Sequence, residues 1–155
     1  MDEYASPSLG TYDEHLSIPG MLAERLARNP DGVFLERQTG IGGTWVPMTV
    51  AAFAAEANAV AKGLVASGIE PGDRVGIMSR TRYEWTLLDF ACWQAGAVGV
   101  PIYETSAPEQ VRWIASDAGI RLVVVETAAH AAVVAQVRDE LPDLRDVLVL
   151  AEDAI

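Results

Sequence analysis

The chain has 155 residues, of which half are hydrophobic and 21% are charged, with 22 acidic against 11 basic side chains and a net charge of −11. This length and composition are typical of one globular domain with a sizeable core. The acidic balance argues against nucleic-acid binding and against docking on anionic lipid through a basic patch, because both need Lys and Arg to neutralise phosphate groups.

The first elements are predicted within residues 1–49. Residues 1–16 are polar and contain Gly, Pro and Ser, so we expect a flexible arm there. Apolar residues at helical spacing in residues 17–30 predict a helix that ends at Asn29-Pro30. Residues 32–49 are typical of a β-hairpin around a Gly-rich turn. We do not interpret this turn as a phosphate loop, because no Lys-Ser/Thr pair follows it and no helix begins there.

A long Ala-rich helix is predicted to begin at Thr49 and to end at a glycine C-cap, Gly68. Its apolar residues, among them Phe53, Ala57 and Leu64, recur at spacings of three and four residues. This helix is therefore expected to pack one face against a core.

From residue 74 onward, short apolar runs alternate with longer helical stretches. Such alternation predicts βαβ units and a parallel sheet, and continuous apolar strands indicate that helices cover both faces of it. The sequence thus predicts an α/β fold: a mostly parallel sheet with helices on both faces, preceded by a helix and a β-hairpin. The strands are predicted at residues 74–79, 97–103, 121–126 and 146–150, and the helices at residues 81–96, 106–119 and 127–142.

Two of the predicted helices begin with the same pattern. Thr81-x-x-Glu84 and Ser106-x-x-Glu109 both fit the capping box, in which a hydroxyl accepts from a free amide and the Glu side chain accepts from the cap residue. We therefore expect Thr81 and Ser106 to be N-caps at strand-to-helix turns.

The strand-end segment Tyr103-Glu104-Thr105 is the candidate binding loop. Polar loops at the carboxyl ends of parallel strands are where α/β proteins place ligands. Since Ser106 is assigned to capping, the first three residues remain available to a ligand. The alternative is that Tyr103 is half-buried and Glu104 is simply solvated.

A second strand end carries Arg80 and Arg82. Two guanidinium groups beside the free amides of a helix N-terminus could bind an anion. The alternative is a solvated arginine pair near Glu84.

The remaining distinctive side chains favour structural roles. Trp85, Trp93 and Trp113 lie on predicted helices and are expected to pack in the core or at an interface. Lys62, the sole lysine, is expected to be solvated near a helix end, and Cys92, the sole cysteine, to be a buried thiol.

No catalytic residue and no metal ligand is predicted. His15 and His130 lack metal-ligand spacing, and no catalytic triad or carboxylate pair can be assigned. The GxGxxG and GxxxxGK[ST] patterns are also absent. The single cysteine and the lack of a basic leader predict a cytoplasmic protein. Because no apolar run is long enough to span a membrane, no transmembrane segment is expected, and peripheral membrane association is left open.

Several linked motifs carry a resemblance to a known family. Residues 72–126 resemble the N-terminal part of adenylate-forming (AMP-binding) enzymes and, more narrowly, of long-chain fatty acid–CoA ligases, and the similarity extends over residues 20–150. The motifs are Gly72-Asp73-Arg74-Val75, Arg82-x-Glu84-Trp85, Gly96-Ala97-Val98 with Val100-Pro101, and Tyr103-x-Thr105 followed by Glu109-Gln110.

The resemblance implies a two-step ligase. ATP and a fatty acid would give an acyl-adenylate and pyrophosphate, and the CoA thiolate would then displace AMP. This chemistry uses a phosphate-binding loop, a carboxylate ligand for Mg²⁺ and a lysine on a C-terminal domain. In relatives, the loop that matches residues 103–106 lies toward the CoA side, which makes Tyr103, Glu104 and Thr105 possible CoA-side residues.

The sequence lacks the nucleotide-binding motifs of this family. We therefore expect residues 17–155 to be the N-terminal subdomain of the adenylate-forming fold, truncated before those motifs and inactive alone. No cofactor is expected in this segment, while ATP, Mg²⁺ and CoA would serve the full-length parent. Its expected partners are the remaining domains of the parent, and the resemblance adds a homodimer as a hypothesis.

Two other hypotheses remain open at this point. The chain could be a free-standing α/β binding or interaction module that uses this subdomain as a scaffold. It could also be a flavodoxin-like domain, which would predict a yellow protein.

Overall fold

The structure is a computed structural model that describes residues 15–38 and 42–150. The predicted arm at residues 1–16 lies almost entirely outside the described residues. So do residues 39–41, within the predicted hairpin turn, and residues 151–155.

The helix and hairpin predicted at the start of the fold are confirmed. Helix α1 spans Ile18–Arg28, and the Ser17 hydroxyl caps it by accepting a hydrogen bond from the Gly20 amide at 3.1 Å. Strands β1 (Val33–Gln38) and β2 (Trp45–Thr49) pair in antiparallel fashion.

Helix α2 spans Val50–Ala66 with Thr49 as its N-cap, at the predicted start, whereas its C-cap is Ser67, one residue before the predicted Gly68. The Thr49 hydroxyl accepts from the Ala52 amide at 3.1 Å, which caps the helix start. Gly68 follows the last turn with a φ of +82°, a left-handed conformation that glycine adopts without steric cost.

The alternating part of the chain forms a four-stranded parallel sheet in the order β4-β3-β5-β6. The first strand of the sheet in sequence, β3, is therefore central, with β4 on one side and β5 on the other. The elements are β3 (Arg74–Met78), α3 (Tyr83–Gln94), β4 (Val98–Ile102), α4 (Pro108–Ala118), β5 (Ile120–Val125), α5 (Ala128–Ala135) and β6 (Asp146–Val149).

Helices cover both faces of this sheet, as predicted. Successive side chains of a strand point to opposite faces, so Leu122 and Val124 of β5 pack in a core with residues of α2 and α3. Val123 and Val125 pack in a second core with residues of α4 and α5. The part of β5 that is buried on both faces, residues 122–125, must be apolar at every position, which explains the continuous run; Arg121, near the strand start, is only half-buried.

The last helix is shorter than predicted. Helix α5 ends at Ala135 and a 3₁₀ turn, Arg138–Glu140, follows, whereas the sequence predicted one helix over residues 127–142. The Arg138 guanidinium donates to the carbonyl oxygens of Leu141, Leu144 and Arg145. These bonds fold the chain back, and both leucines become buried in the second core.

A third apolar cluster joins the hairpin to the sheet domain through aromatic rings. Phe53 of α2 is fully buried, with ring centroids 4.6 Å from Phe34, 5.1 Å from Phe90 and 6.2 Å from Tyr83. Since these rings come from β1, α2 and α3, they hold the two parts of the fold together.

Replacing Phe53 by Ala is expected to lower the free energy of unfolding by about 3–5 kcal/mol, because it leaves a cavity among three rings. Equilibrium urea unfolding measures the loss. Val65→Ala is the matched control: Val65 lies on the same helix, is 56% exposed, and should change stability by less than about 0.5 kcal/mol. Equal losses in the two variants would contradict the central role of this ring.

Candidate functional site at the carboxyl edge of the sheet

All four strands of the parallel sheet end at one edge, and the candidate residues lie there. Tyr103 follows β4, Ser79 follows β3 and Glu126 follows β5. Because neighbouring strands are about 4.8 Å apart and β3 lies between the other two, the ends of β4 and β5 are separated by about 10 Å.

The loop after β4 presents its aromatic side chain to solvent. Tyr103 is 81% exposed and Thr105 is also exposed, whereas Glu104 is half-buried and Ser106 is buried. The Ser106 amide donates to the Tyr103 carbonyl at 3.0 Å, which closes the turn. The alternative of a half-buried Tyr103 beside a solvated Glu104 is therefore wrong, and the ring is free for contact.

The predicted capping box at Ser106 and Glu109 is wrong. Helix α4 begins at Pro108, and Ala107 is its N-cap in an extended conformation. A proline in the first turn of a helix forces the preceding residue out of helical geometry, which moves the helix start one residue past Ser106. The Gln110 side chain then accepts from the Ala107 amide at 2.8 Å.

The predicted capping box at Thr81 and Glu84 is also wrong. The N-cap of α3 is Arg82, which makes no side-chain cap bond. The Glu84 carboxylate lies 2.5 Å from Arg82 Nε instead, because a charged partner is a stronger competitor for the carboxylate than a neutral amide.

Between β3 and β5 lies the place where this topology usually binds ligands. The chain leaves β3 toward β4 and leaves β5 toward β6, in opposite directions. Such a divergence opens a crevice at the carboxyl ends of the two strands, and it is the ligand site of many open α/β sheets.

Glu126 fills this crevice. Its carboxylate accepts from the Arg80 amide at 3.0 Å and lies 3.3 Å from Ser79 Oγ. The other carboxylate oxygen lies 2.7 Å from Arg80 Nε and 3.4 Å from Arg82 Nη1. With only 7% of its side chain exposed, Glu126 occupies the position of an anionic ligand.

Both arginines are consequently paired with carboxylates of the chain itself. Arg82 is 11% exposed and is shared between Glu84 and Glu126, while Arg80 is 51% exposed and pairs with Glu126. The reading of a solvated arginine pair is wrong for Arg82 and holds only for Arg80. Two positive and two negative groups make the cluster neutral.

The groups around Glu126 lower the pKa of its carboxyl. Burial by itself would raise the pKa of the carboxyl, but the Arg80 amide, the guanidinium groups of Arg80 and Arg82 and the Ser79 hydroxyl together hold that pKa below its ordinary value. Glu126 is therefore a carboxylate at neutral pH.

Sequence reasoning missed Glu126 as a site residue. It was assigned only as the last residue of a strand, although an acid directly after four apolar residues is the signal that could have drawn attention to it. Its partners lie more than forty residues earlier in the chain, so local spacing could not reveal them.

The other predicted structural side chains are placed as follows. Burial, with a smaller effect of the Asp89 carboxylate, raises the pKa of the buried Cys92 thiol to about 12, so this residue is not a nucleophile. Lys62 is exposed, as expected. Trp93 packs against the ring of Phe90, with the two centroids 5.1 Å apart, whereas Trp113 is 65% exposed on α4.

An open groove of about 720 Å³ lies beside the start of β4, away from the carboxyl edge. Its lining contains no ionisable side chain, so it has no acid–base chemistry. The lining residues are Ser17, Ile18, Pro19, Asn58, Trp93, Gln94, Gly96 and Ala97.

Within residues 15–38 and 42–150, no group of three or more His, Cys, Asp and Glu side chains is arranged to hold a metal ion. No helix in the described part of the chain is long and apolar enough to cross a membrane.

The fold and the sequence identify the family. Residues 22–155 match the family model described as AMP-binding enzyme, and the chain belongs to this family. The predicted family and α/β fold are thus confirmed, and the flavodoxin-like reading is excluded.

One curated relative within this family is similar to nearly the whole chain. The long-chain-fatty-acid–CoA ligase FadD15 of Mycobacterium bovis is 44% identical over 151 residues, which is 97% of this chain and 25% of that protein. The chain thus spans about a quarter of the length of the curated relatives it matches. This match favours the reading of a ligase segment over that of a free-standing module.

Solved structures agree with this assignment. A Mycobacterium tuberculosis fatty acyl CoA synthetase superposes with a TM-score of 0.74 at 32% identity, over 86% of this chain and 26% of that one. A long-chain-fatty-acid-CoA ligase of Archaeoglobus fulgidus superposes with a TM-score of 0.79 over 98% of this chain and 30% of that one, and its 16% identity supports the fold alone.

Replacing Glu126 by Gln is expected to lower the free energy of unfolding at neutral pH by about 1–3 kcal/mol, because the largely buried Arg82 keeps only Glu84 as a charge partner and the half-exposed Arg80 loses Glu126. The folded-state pKa of Glu126 lies below its unfolded-state value, so its stabilisation is present above about pH 4.3 and is lost as pH falls through the lower, folded-state pKa. Urea unfolding of both proteins between about pH 7 and about pH 3 should show a difference that shrinks toward acid. A difference that stays constant across this range would contradict the buried pairing.

Proposed function

We propose that this chain is the N-terminal segment of an ATP-dependent long-chain fatty acid–CoA ligase. The observation that carries the proposal is the 44% identity to FadD15, a long-chain-fatty-acid–CoA ligase, over 97% of the chain. We retain the division into an arm at residues 1–16 and an α/β subdomain at residues 17–155.

The complete enzyme would catalyse two displacements. A fatty acid carboxylate attacks the α-phosphorus of ATP and pyrophosphate leaves, which gives an acyl-adenylate. The CoA thiolate then attacks the acyl carbon and AMP leaves with the bonding electrons. Both steps need groups that stabilise phosphate charge in the transition state.

The described residues do not fit Mg²⁺ or the ATP phosphates. No acidic cluster suited to a metal ion lies within the described ranges, and Arg80 and Arg82 are already neutralised by Glu84 and Glu126. We therefore assign no chemical step to this segment. Its proposed role is that of a rigid subdomain against which the remaining domains of the parent assemble.

We propose that Tyr103, Glu104 and Thr105 line the CoA side of the complete enzyme. The exposed Tyr103 ring and the exposed Thr105 hydroxyl support this proposal, since they are free for contact at the carboxyl end of a strand. The buried Ser106 and the short turn back to Tyr103 support it further, because they hold the loop in one conformation.

The compartment and assembly of the parent are also proposals. A single, buried cysteine supports a cytoplasmic location, and the net charge of −11 favours the bulk cytoplasm over an anionic membrane surface. Homodimerisation through this segment is supported by the exposed apolar Trp45 and Val46 on the hairpin.

The 155-residue protein alone is expected neither to bind ATP tightly nor to release pyrophosphate from ATP and a fatty acid. Isothermal titration with MgATP and a pyrophosphate-release assay measure these properties, with the full-length parent as the positive control. Tight ATP binding by the short protein would show that the nucleotide site lies within this segment.

In the full-length parent, Thr105→Ala is expected to slow thioester formation by up to about tenfold, the effect of one lost hydrogen bond. Adenylation should change little, because the loop is proposed to face CoA. ATP–pyrophosphate exchange measures adenylation, and single-turnover transfer from preformed acyl-adenylate to CoA measures the second step. Ser116→Ala, which removes an exposed hydroxyl from α4, is the matched control. Equal losses in both half-reactions would mean that the loop has only a structural role.

A further inference from the structure

We propose that Glu126 is a built-in ligand of the crevice between β3 and β5, and that the groups around it form a site for a small carboxylate that opens when the Glu126 side chain is removed. This site is independent of the proposed CoA-side loop and of the ligase activity. In the native chain, the Glu126 carboxylate holds the position that an external anion would take.

The donors converge on one carboxylate from a single short segment. The Arg80 amide, Arg80 Nε and Arg82 Nη1 lie within 3.4 Å of the Glu126 carboxylate oxygens, and Ser79 Oγ lies 3.3 Å away. All of them belong to the connection between β3 and α3, whereas the carboxylate arrives from the end of β5. The donor set and the anion therefore come from separate parts of the chain.

Arg82 and Ser79 also have bonding partners other than Glu126, whereas the Arg80 guanidinium forms its ion pair with Glu126. Arg82 Nε lies 2.5 Å from the Glu84 carboxylate, and both side chains are almost fully buried. Ser79 Oγ lies 2.8 Å from the Arg80 carbonyl oxygen and 3.3 Å from the Glu126 carboxylate, and its single proton is donated to one of them at a time. Removing Glu126 should consequently leave Arg82, Ser79 and the Arg80 amide in place, and it should free the Arg80 guanidinium for another anion.

Charge and shape identify the ligand class. Without Glu126, the cluster keeps Arg80 and Arg82 against Glu84 alone, which leaves one net positive charge next to a buried guanidinium. An unpaired buried charge is costly, so a monoanion that restores neutrality is stabilised there. Glu126→Ala removes one methylene carbon and the carboxylate group, whose heavy atoms are those of acetate.

The test is chemical rescue of the Glu126→Ala variant of the 155-residue protein. We expect acetate or formate to raise its thermal midpoint by about 3 °C or more when the anion exceeds its dissociation constant tenfold, relative to chloride at the same ionic strength. Wild type and Glu126→Gln should not distinguish acetate from chloride, since their side chains fill the site.

A surface variant provides the matched control. Glu140 is 61% exposed and pairs with Arg112, so Glu140→Ala also removes a paired carboxylate but opens no enclosed site. It should show no preference for acetate over chloride. If acetate and chloride act alike on Glu126→Ala, or if acetate stabilises the control or the wild type as much, the proposed site does not exist.

Failure of Glu126→Ala to fold would also be informative. Refolding from urea in acetate should then recover folded protein, measured by circular dichroism, while refolding in chloride should not. If neither salt recovers folded Glu126→Ala although Glu126→Gln folds, the proposal is overturned. The crevice would then require a side chain of the right volume, and a free anion could not replace it.

Discussion

The buried pairing of Glu126 with the segment after β3 is the constraint on which the arrangement of the site depends. It joins the ends of the two strands from which the chain diverges, and its partner Arg82 directly precedes helix α3. The next residue, Tyr83, donates its hydroxyl to Glu56 of α2 at 2.6 Å and packs against Phe53. Charge pairing at the sheet edge thus positions the helix that carries the aromatic layer.

The charged groups between β3 and β5 are paired with one another. An α/β sheet commonly binds its ligand in the crevice between β3 and β5, and here Glu126 pairs with the arginines of that crevice. The only cysteine of the sequence, Cys92, is buried in the core. The exposed residues at the ends of β3 and β4 are Arg80, Thr81, Tyr103 and Thr105. The chain spans about a quarter of the FadD15 ligases, and the rigid-subdomain role proposed for it rests on this paired edge.

Local sequence patterns succeeded where short-range physics decides the outcome. Thr49 caps α2 and Gly68 terminates it, because a cap hydroxyl and a left-handed glycine act within one turn of the helix. The same reasoning failed at Glu84, whose carboxylate binds Arg82, and at α5, which Arg138 ends early by binding carbonyls beyond the helix. In both failures, a charged side chain outcompeted the local motif.

The sequence by itself determined the number, order and type of the elements, the parallel sheet covered on both faces, and the family. Apolar periodicity and linked motifs specify these features, and both are readable along the chain. Only the tertiary structure decided the strand order, the exposure of Tyr103 and the identity of the group that fills the crevice. The bonds to Glu126 span more than forty residues, and such pairings depend on which strands become neighbours, which no local pattern encodes.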